Sequence, residues 1–186
     1  DNGEPALDVF EGHGDLVALD HQSNETVDYV ARVMNYWLDR GAAGWRLDAA
    51  YAVPSAFWAR VLPQVKAAHP YSWIFGEVIH GDYPRIVEES TMDSVTQYEL
   101  WKSIQHALET ENFFELDWNL KRHNAFLDSF VPQTFIGNHD VTRIASQIGS
   151  AKAALALAVL MTVGGMPSIY YGDEHGYVGV KQERFG

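Results

Sequence analysis

The sequence predicts an α/β fold in which strands and helices alternate along the chain. Short apolar runs, such as those around Trp45 and Ile74, are typical of buried strands, whereas longer segments with apolar residues every three or four positions are typical of helices. This alternation indicates parallel strands joined by right-handed crossovers. Polar and acidic residues follow the predicted strands at their carboxyl ends, which is where a (β/α)8 barrel of the TIM type carries its active site.

Six helices are predicted from apolar residues at helical spacing. In the first, Val27, Met34 and Leu38 share one face, Ser23 or Asn24 can cap the start, and Gly41 can end it. In the second, a proline at position 54 suits the first turn. The predicted helices are residues 25–40, 54–69, 83–89, 99–110, 117–130 and 151–163.

The strands are predicted from shorter apolar runs that end in polar residues. A first run, residues 16–19, is closed by Asp20, and five longer runs follow it. Five strands are too few to close an eight-stranded barrel, so we expect the chain to form only part of one. The five longer predicted strands are residues 45–50, 71–76, 93–98, 132–136 and 166–171.

The composition excludes several classes of function. The chain has 186 residues, of which 47% are hydrophobic and 13% aromatic, and its formal net charge is −12 without any basic run. Nucleic acid and anionic membrane surfaces are therefore poor partners, whereas neutral polar ligands such as sugars fit. The absence of cysteine excludes disulfides, thiolate metal sites and cysteine nucleophiles.

The apolar runs and the start of the chain bear on localisation. The run from Ala151 to Val163 contains Lys152 and is too short to span a bilayer. The chain opens on Asp1-Asn2-Gly3 without a methionine, so we expect its N-terminal part, with any signal peptide, to be missing. The lack of cysteine favours a reducing compartment, and we expect a cytoplasmic protein.

Three predicted strands end in acidic residues. Arg46 and Asp48 are two positions apart in one strand and so point to the same face, where a buried arginine would keep the carboxylate ionised in one rotamer. The alternative is an internal ion pair that only shapes the strand end. Glu77 and Asp140 follow later strands and, in a barrel, would converge with Asp48 on one pocket. Two carboxylates flanking a glycosidic bond are the minimum for glycoside hydrolysis.

A family resemblance lies in four segments at or near these strand ends. They are Gly44–Asp48, Gly76–Glu77, Asn138–Asp140 and Gly165–Glu174. In this order they resemble the fourth-, fifth-, seventh- and eighth-strand motifs of the α-amylase family of glycoside hydrolases. The resemblance implies that residues 1–186 form a partial catalytic barrel, about strands four to eight of a (β/α)8 TIM barrel. Residues 1–20 would then be a loop remnant before the fourth strand.

The resemblance also implies a retaining reaction on α-linked glucosides of the α-glucan or malto-oligosaccharide type. Asp48 would be the nucleophile, Glu77 the acid/base and Asp140 the residue that stabilises the transition state. The partner would be a small-molecule or oligosaccharide substrate. The implied substrate-binding residues are Arg46, Asn138, His139 and Arg143.

Two departures from the family pattern stand out. The third-strand motif and everything that would build the first three strands are absent, so part of the sugar-binding subsite would be missing and the chain alone is expected to be inactive. Where many α-amylases carry Lys-His after the nucleophile, this chain has Tyr51-Ala52, which puts long-starch specificity and a calcium site in doubt. No metal or other cofactor is expected, although Asp20 is a candidate calcium ligand.

Three alternatives stay open at the level of the sequence. A transglycosylase or sugar isomerase of the same family would share the three acids. A non-catalytic sugar-binding relative would typically lose one of them, and all three are present. A metal-dependent barrel hydrolase would need several converging histidines, but the eight histidines are scattered along the chain. The oligomeric state is not predicted.

Overall fold

The computed structural model describes residues 7–182, which form two structural units. The first unit comprises the described residues up to Glu77 together with Arg85–Met92, and the second comprises Val78–Pro84 and the described residues from Asp93 onward. Positions 1–6 of the predicted N-terminal loop lie outside the described residues.

Helices and strands alternate through most of the chain, as the sequence predicts. Three short 3-10 turns lie at Phe10–Gly12, Ala50–Ala52 and Asp173–His175. In chain order the helices and strands are α1 (Asn24–Leu38), β1 (Gly44–Leu47), α2 (Ser55–Ala68), β2 (Trp73–Gly76), α3 (Tyr83–Ser90), β3 (Ser94–Val95), α4 (Tyr98–Thr110), α5 (Phe114–Phe126), β4 (Gln133–Phe135), α6 (Ile144–Leu160) and β5 (Met166–Ser168).

In the first unit, β1 and β2 form a parallel pair whose register places Gly44 opposite Trp73 and Leu47 opposite Gly76. A Cβ on Gly44 would lie 1.9 Å from the Trp73 carbonyl oxygen, so only glycine fits this close approach. Helices α1 and α2 pack against each other through apolar residues. The buried residues of these two helices are Val27, Ala31, Met34, Leu38, Phe57, Trp58, Val61, Leu62 and Val65.

In the second unit, β4 and β5 form a parallel pair, with Gln133 opposite Met166 and Phe135 opposite Ser168. Thr96, just after β3, makes a parallel bridge to Gln133. The parallel pairing that the sequence predicts is therefore present in both units. The apolar core of the second unit comes mainly from α4, α5 and α6, and its buried members are Leu100, Ile104, Ala107, Leu108, Leu116, Ile136, Ile144, Ala145, Ala153, Ala156 and Leu160.

Several predicted element bounds are wrong. The predicted strand over residues 16–19 is reduced to one antiparallel bridge between Val9 and Val17, and Leu16 and Leu19 are both exposed. The remaining strands are two to four residues long, shorter than predicted. Helix α6 begins seven residues before the predicted start, and Gly149, with φ +80°, interrupts its helical geometry. An apolar run becomes a strand only where a neighbouring strand pairs with it, which composition does not reveal.

No helix among residues 7–182 is long and apolar enough to cross a membrane.

A buried polar network holds together the second unit near the start of α4. The imidazole of His123 is fully buried, with its Nε2 2.7 Å from the Gly164 carbonyl oxygen and its Nδ1 3.3 Å from Gln97 Nε2. A carbonyl only accepts and an amide nitrogen only donates, so His123 carries its proton on Nε2. The Gln97 side-chain oxygen in turn accepts from the backbone N–H of Leu100 at 3.3 Å. A neutral histidine satisfies every member of this network.

The first prediction concerns the pH dependence of stability. Burial lowers the pKa of His123 below its ordinary 6.5, although the bond to the Gly164 carbonyl opposes this. As the pH falls, His123 therefore takes up a proton at a higher pH in the unfolded chain than in the folded one. The contribution of His123 is fully present above about pH 6.5 and is lost as the pH falls, with a slope of at most about 1.4 kcal/mol per pH unit.

Urea unfolding of the wild type and of His123→Gln at pH 8.5, 7.5, 6.5, 5.5 and 5.0 measures this contribution. The wild type should lose stability more steeply than the variant below pH 6.5, and the two slopes should agree above pH 7. Equal slopes throughout would show that His123 does not titrate in this way.

Candidate active site

Two acidic residues lie at the same edge of the β1–β2 pair. Asp48 follows β1 and Glu77 follows β2, and the Glu77 backbone N–H donates to the Leu47 carbonyl at 2.8 Å. The ladder thus continues one residue past Gly76 and places both acids at the carboxyl ends of adjacent parallel strands. The sequence predicts that these two acids are neighbours, and this register is the physical reason why they are.

One guanidinium group contacts both carboxylates. Arg46 Nη1 lies 2.8 Å from Asp48 Oδ1, and Arg46 Nη2 lies 2.9 Å from Glu77 Oε1. The side chain of Asp48 is 79% exposed, whereas that of Glu77 is 9% exposed. The planar fork of arginine can serve two carboxylates at once, which an ammonium point charge cannot do with the same geometry. The result is one accessible and one buried carboxylate that share a single cation.

A strained turn after Asp48 supplies a second donor to Glu77. Ala49 has a left-handed backbone with φ +44°, which is uncommon for a residue with a side chain. Its N–H donates to Glu77 Oε2 at 2.9 Å, and the N–H of Tyr51 donates to the Glu77 carbonyl at 3.2 Å. The sequence holds no signal for Ala49, because its contribution comes from the backbone.

Tyr51 presents a phenol beside this cluster. Burial raises its pKa most, followed by the charge of Glu11, a hydrogen bond to Glu11, and the charges of Glu77 and Asp48. The phenol therefore stays protonated at neutral pH, and its hydroxyl donates to Glu11. Tyr51 occupies the position where the resemblance would place a lysine.

The second unit holds the Asn138-His139-Asp140 segment, in the loop after β4. Asn138 Oδ1 accepts from the backbone N–H of Asp140 at 2.8 Å, and Asn138 Nδ2 donates to the Tyr98 hydroxyl at 2.9 Å. His139 Nε2 lies 3.1 Å from Asp140 Oδ2, and both side chains are substantially exposed. Asn138 is thus held by α4 and by its own turn, while His139 and Asp140 reach solvent.

Arg143, a predicted sugar ligand, makes buried contacts within the second unit. Its Nη1 lies 2.9 Å from Asp173 Oδ1 and donates to the Tyr171 carbonyl at 2.7 Å. Asp173 was overlooked as a candidate by sequence reasoning, although it lies within the eighth-strand motif. Binding of sugar by Arg46, Asn138, His139 and Arg143 stays a prediction.

Asp20 is the candidate calcium ligand named from the sequence. Its Oδ1 accepts a hydrogen bond from the backbone N–H of Gln22 at 2.9 Å. Within residues 7–182, no three His, Cys, Asp or Glu side chains lie together as a metal-binding group. The expected lack of a cofactor stays a prediction.

Two aromatic side chains of the second unit that could stack on a sugar differ in exposure. Tyr98 is buried and packs edge-on against Phe135, so it belongs to the core. Tyr171 is 69% exposed and lies beside Tyr170. Exposure, which decides between stacking surface and core, was not readable from the sequence.

Comparison with known proteins gives one consistent result. Residues 8–185 match the family model of the alpha amylase catalytic domain. The chain is 33% identical to neopullulanase 2 of Thermoactinomyces vulgaris over 165 residues, which cover 85% of this chain and 28% of that protein. It is 32% identical to a cyclomaltodextrinase of a Bacillus species over 187 residues, covering 96% of this chain and 33% of that protein.

The fold agrees with this result. The structure superimposes on a solved cyclomaltodextrinase with a TM-score of 0.80 at 27% identity, covering 96% of this chain and 32% of that one. The chain therefore spans about a third of the length of the curated relatives that it matches. Relatives of this kind have a (β/α)8 barrel, of which this chain is a part.

The second prediction tests the shared guanidinium. We expect Arg46→Gln to lower the free energy of unfolding by about 1–3 kcal/mol, because the buried Glu77 carboxylate loses its cation. The matched control is Arg85→Gln in the same unit, whose ion pair with Glu89 is exposed at both side chains, and it should cost less than about 1 kcal/mol. Urea unfolding at pH 7 measures both. Equal losses would contradict the difference in burial between the two pairs.

Proposed function

Because this chain belongs to the α-amylase family, we propose that it carries the nucleophile and the acid/base of a retaining glycoside hydrolase that acts on α-linked glucosides. The observation that carries the proposal is the Arg46 guanidinium, which holds the exposed Asp48 and the buried Glu77 carboxylates at once. Retaining hydrolysis needs two carboxyl groups about 5–5.5 Å apart in different roles. Contacts to adjacent nitrogens of one guanidinium are compatible with that spacing.

Asp48 is the proposed nucleophile. Its side chain is open to solvent, and the bond from Arg46 Nη1 to Oδ1 holds it in one orientation. In the first step a carboxylate oxygen of Asp48 bonds to the anomeric carbon while the bond to the leaving-group oxygen breaks. The product of this step is a covalent glycosyl-enzyme.

Glu77 is the proposed acid/base. In the first step it gives a proton to the leaving-group oxygen, and in the second it takes a proton from the water that attacks the anomeric carbon and releases Asp48. The Ala49 N–H and the Arg46 guanidinium hold its two oxygens separately, so the carboxyl group has one rotamer in which to transfer that proton. A fixed proton donor lowers the entropic cost of reaching the transition state.

Asp140 is the proposed stabiliser of the oxocarbenium-like transition state, with His139 and Asn138 as hydroxyl ligands. Support for this assignment comes from the resemblance of the Asn138-His139-Asp140 segment to the family motif. The exposure of Asp140 and His139 is in keeping with contact to a ligand. The negative charge of a carboxylate stabilises the positive charge that develops on the sugar ring in the transition state.

The substrate we propose is a malto-oligosaccharide, and the strands we assign are four to eight of the family barrel. The name of one relative, cyclomaltodextrinase, supports a cyclic maltodextrin rather than long starch. The order of the motifs along the chain supports the strand assignment. The substrate proposal concerns the whole protein, since this chain spans about a third of the length of its relatives.

The third prediction tests the nucleophile. In the full-length protein, Asp48→Asn should lower kcat for maltotriose by at least about 10³-fold, because the neutral amide cannot form the glycosyl-enzyme. Because the Asp48 side chain is exposed, the circular dichroism spectrum and the unfolding midpoint of the variant should stay close to those of the wild type. Asp28→Asn, on the exposed face of α1, is the matched control and should keep full activity. Near-normal turnover by Asp48→Asn would overturn the assignment.

The fourth prediction tests the stereochemistry. Proton NMR of maltotriose digests, recorded within minutes of mixing, should show the α-anomer of the new reducing end first, followed by mutarotation to the mixture. Initial appearance of the β-anomer would contradict a double displacement. Products longer than maltotriose that exceed the hydrolysis products in the same digests would identify transglycosylation as the main reaction.

A further inference from the structure

A buried ion pair joins the turn after β5 to the loop that carries Asp140. The Arg143 and Asp173 side chains are 11% and 1% exposed, and their atoms Nη1 and Oδ1 lie 2.9 Å apart. The same Nη1 donates to the Tyr171 carbonyl at 2.7 Å. Arg143 is therefore bound to the segment that follows β5 by side-chain and main-chain acceptors together.

The aromatic rings of that segment cover the guanidinium. The Arg143 Cζ lies 4.2 Å from the centre of the Tyr170 ring and 5.0 Å from that of Tyr171. The Arg143 backbone N–H donates to the Gly179 carbonyl at 2.9 Å, so the start of α6 is also held. These contacts leave the guanidinium little surface with which to reach a sugar.

The carboxylate of Asp173 also packs against the other end of the Asn138-His139-Asp140 segment. A Cβ on Gly137 would lie 2.6 Å from Asp173 Oδ2, so glycine is the residue that fits here. Among the described residues, this buried Oδ2 has no hydrogen-bond partner. Burial raises the pKa of Asp173, and the bond and charge of Arg143 oppose that rise. One carboxylate thus contacts the residue before Asn138 and the arginine three residues after Asp140.

We propose that Asp173 and Arg143 are a positioning pair that sets the conformation of the Asn138-His139-Asp140 segment, and that Arg143 is not itself a ligand of the sugar. The inference rests on the proposed function, because it gives the segment its role. Asp173 acts on the reaction only through the segment, by excluding other backbone positions of Gly137 and by holding Arg143. A displacement of about 1 Å at a reacting group can cost roughly 10²-fold in rate.

A double-mutant cycle in the full-length protein tests the pair, with Arg143→Gln, Asp173→Asn and the combined variant. Each single variant should lower kcat for maltotriose about 10- to 100-fold with KM within about twofold of the wild type. The combined variant should lose no more than the worse single variant, because it leaves no unpaired buried charge. All rates are measured at a temperature at which circular dichroism shows each variant folded.

Ligand affinities separate positioning from sugar binding. Loss of Asp140 alignment should weaken binding of the transition-state analogue acarbose by the same factor as kcat/KM in both single variants, with the affinity for maltose unchanged. Gly137→Ala displaces the Asp173 carboxylate without removing a charge and should behave in the same way. The control is the exposed pair in α5, where Lys121→Gln and Asp117→Asn should leave every parameter unchanged.

Two results would overturn the proposal in different ways. If Arg143→Gln raises KM and weakens maltose binding while Asp173→Asn does not, Arg143 is a sugar ligand and the positioning role fails although the proposed function stands. If the losses of the single variants multiply in the combined variant, the two residues act independently and the pair is refuted. A folded wild-type protein without activity on any α-glucoside overturns the proposed function, and this inference with it.

Discussion

The candidate site depends on the arginine fork of Arg46. Two carboxylates at adjacent strand ends repel each other, and a cation that contacts both offsets that repulsion. Arg46 contacts both, because one of its terminal nitrogens reaches Asp48 and the other reaches Glu77. The register of β1 and β2 and the turn at Ala49 matter to the site because they present those carboxylates to the one guanidinium.

The second unit also contains an arginine that pairs with a carboxylate, but there both side chains are buried. One of the two acids that Arg46 holds, Asp48, is exposed to solvent, so its carboxylate is accessible to a substrate. Around Arg143 both partners are buried, and the rings of Tyr170 and Tyr171 cover the cation. A buried ion pair adds little net stability, because both charges lose their hydration. Its effect lies in geometry, since an arrangement with either charge unpaired is much less favourable.

Much of the fold was predictable because the signals for it are local. Apolar periodicity and the Ser23 cap located α1 to within two residues, although the helix is capped at Asp39 and not, as the sequence predicted, at Gly41. Parallel pairing followed from the alternation of strands and helices. The strand over residues 16–19 and the extent of β5 were not predictable, since a strand exists only where another strand pairs with it. Ile169, inside the predicted fifth strand, lies beyond the last paired residue.

The sequence by itself determined the family, the order of the motifs and the acids that end the strands, because each of these is written in a few consecutive residues. Only the tertiary structure decided the partners of those acids. Ala49 reaches Glu77 across 28 positions, and Arg143 reaches Asp173 across 30. Such contacts depend on strand register and turn geometry, and a bond from a backbone N–H leaves no mark on residue type. For that reason the sequence could name Asp48 and Glu77 as candidates, whereas it could not reveal the bond from Ala49 or the pairing of Arg143.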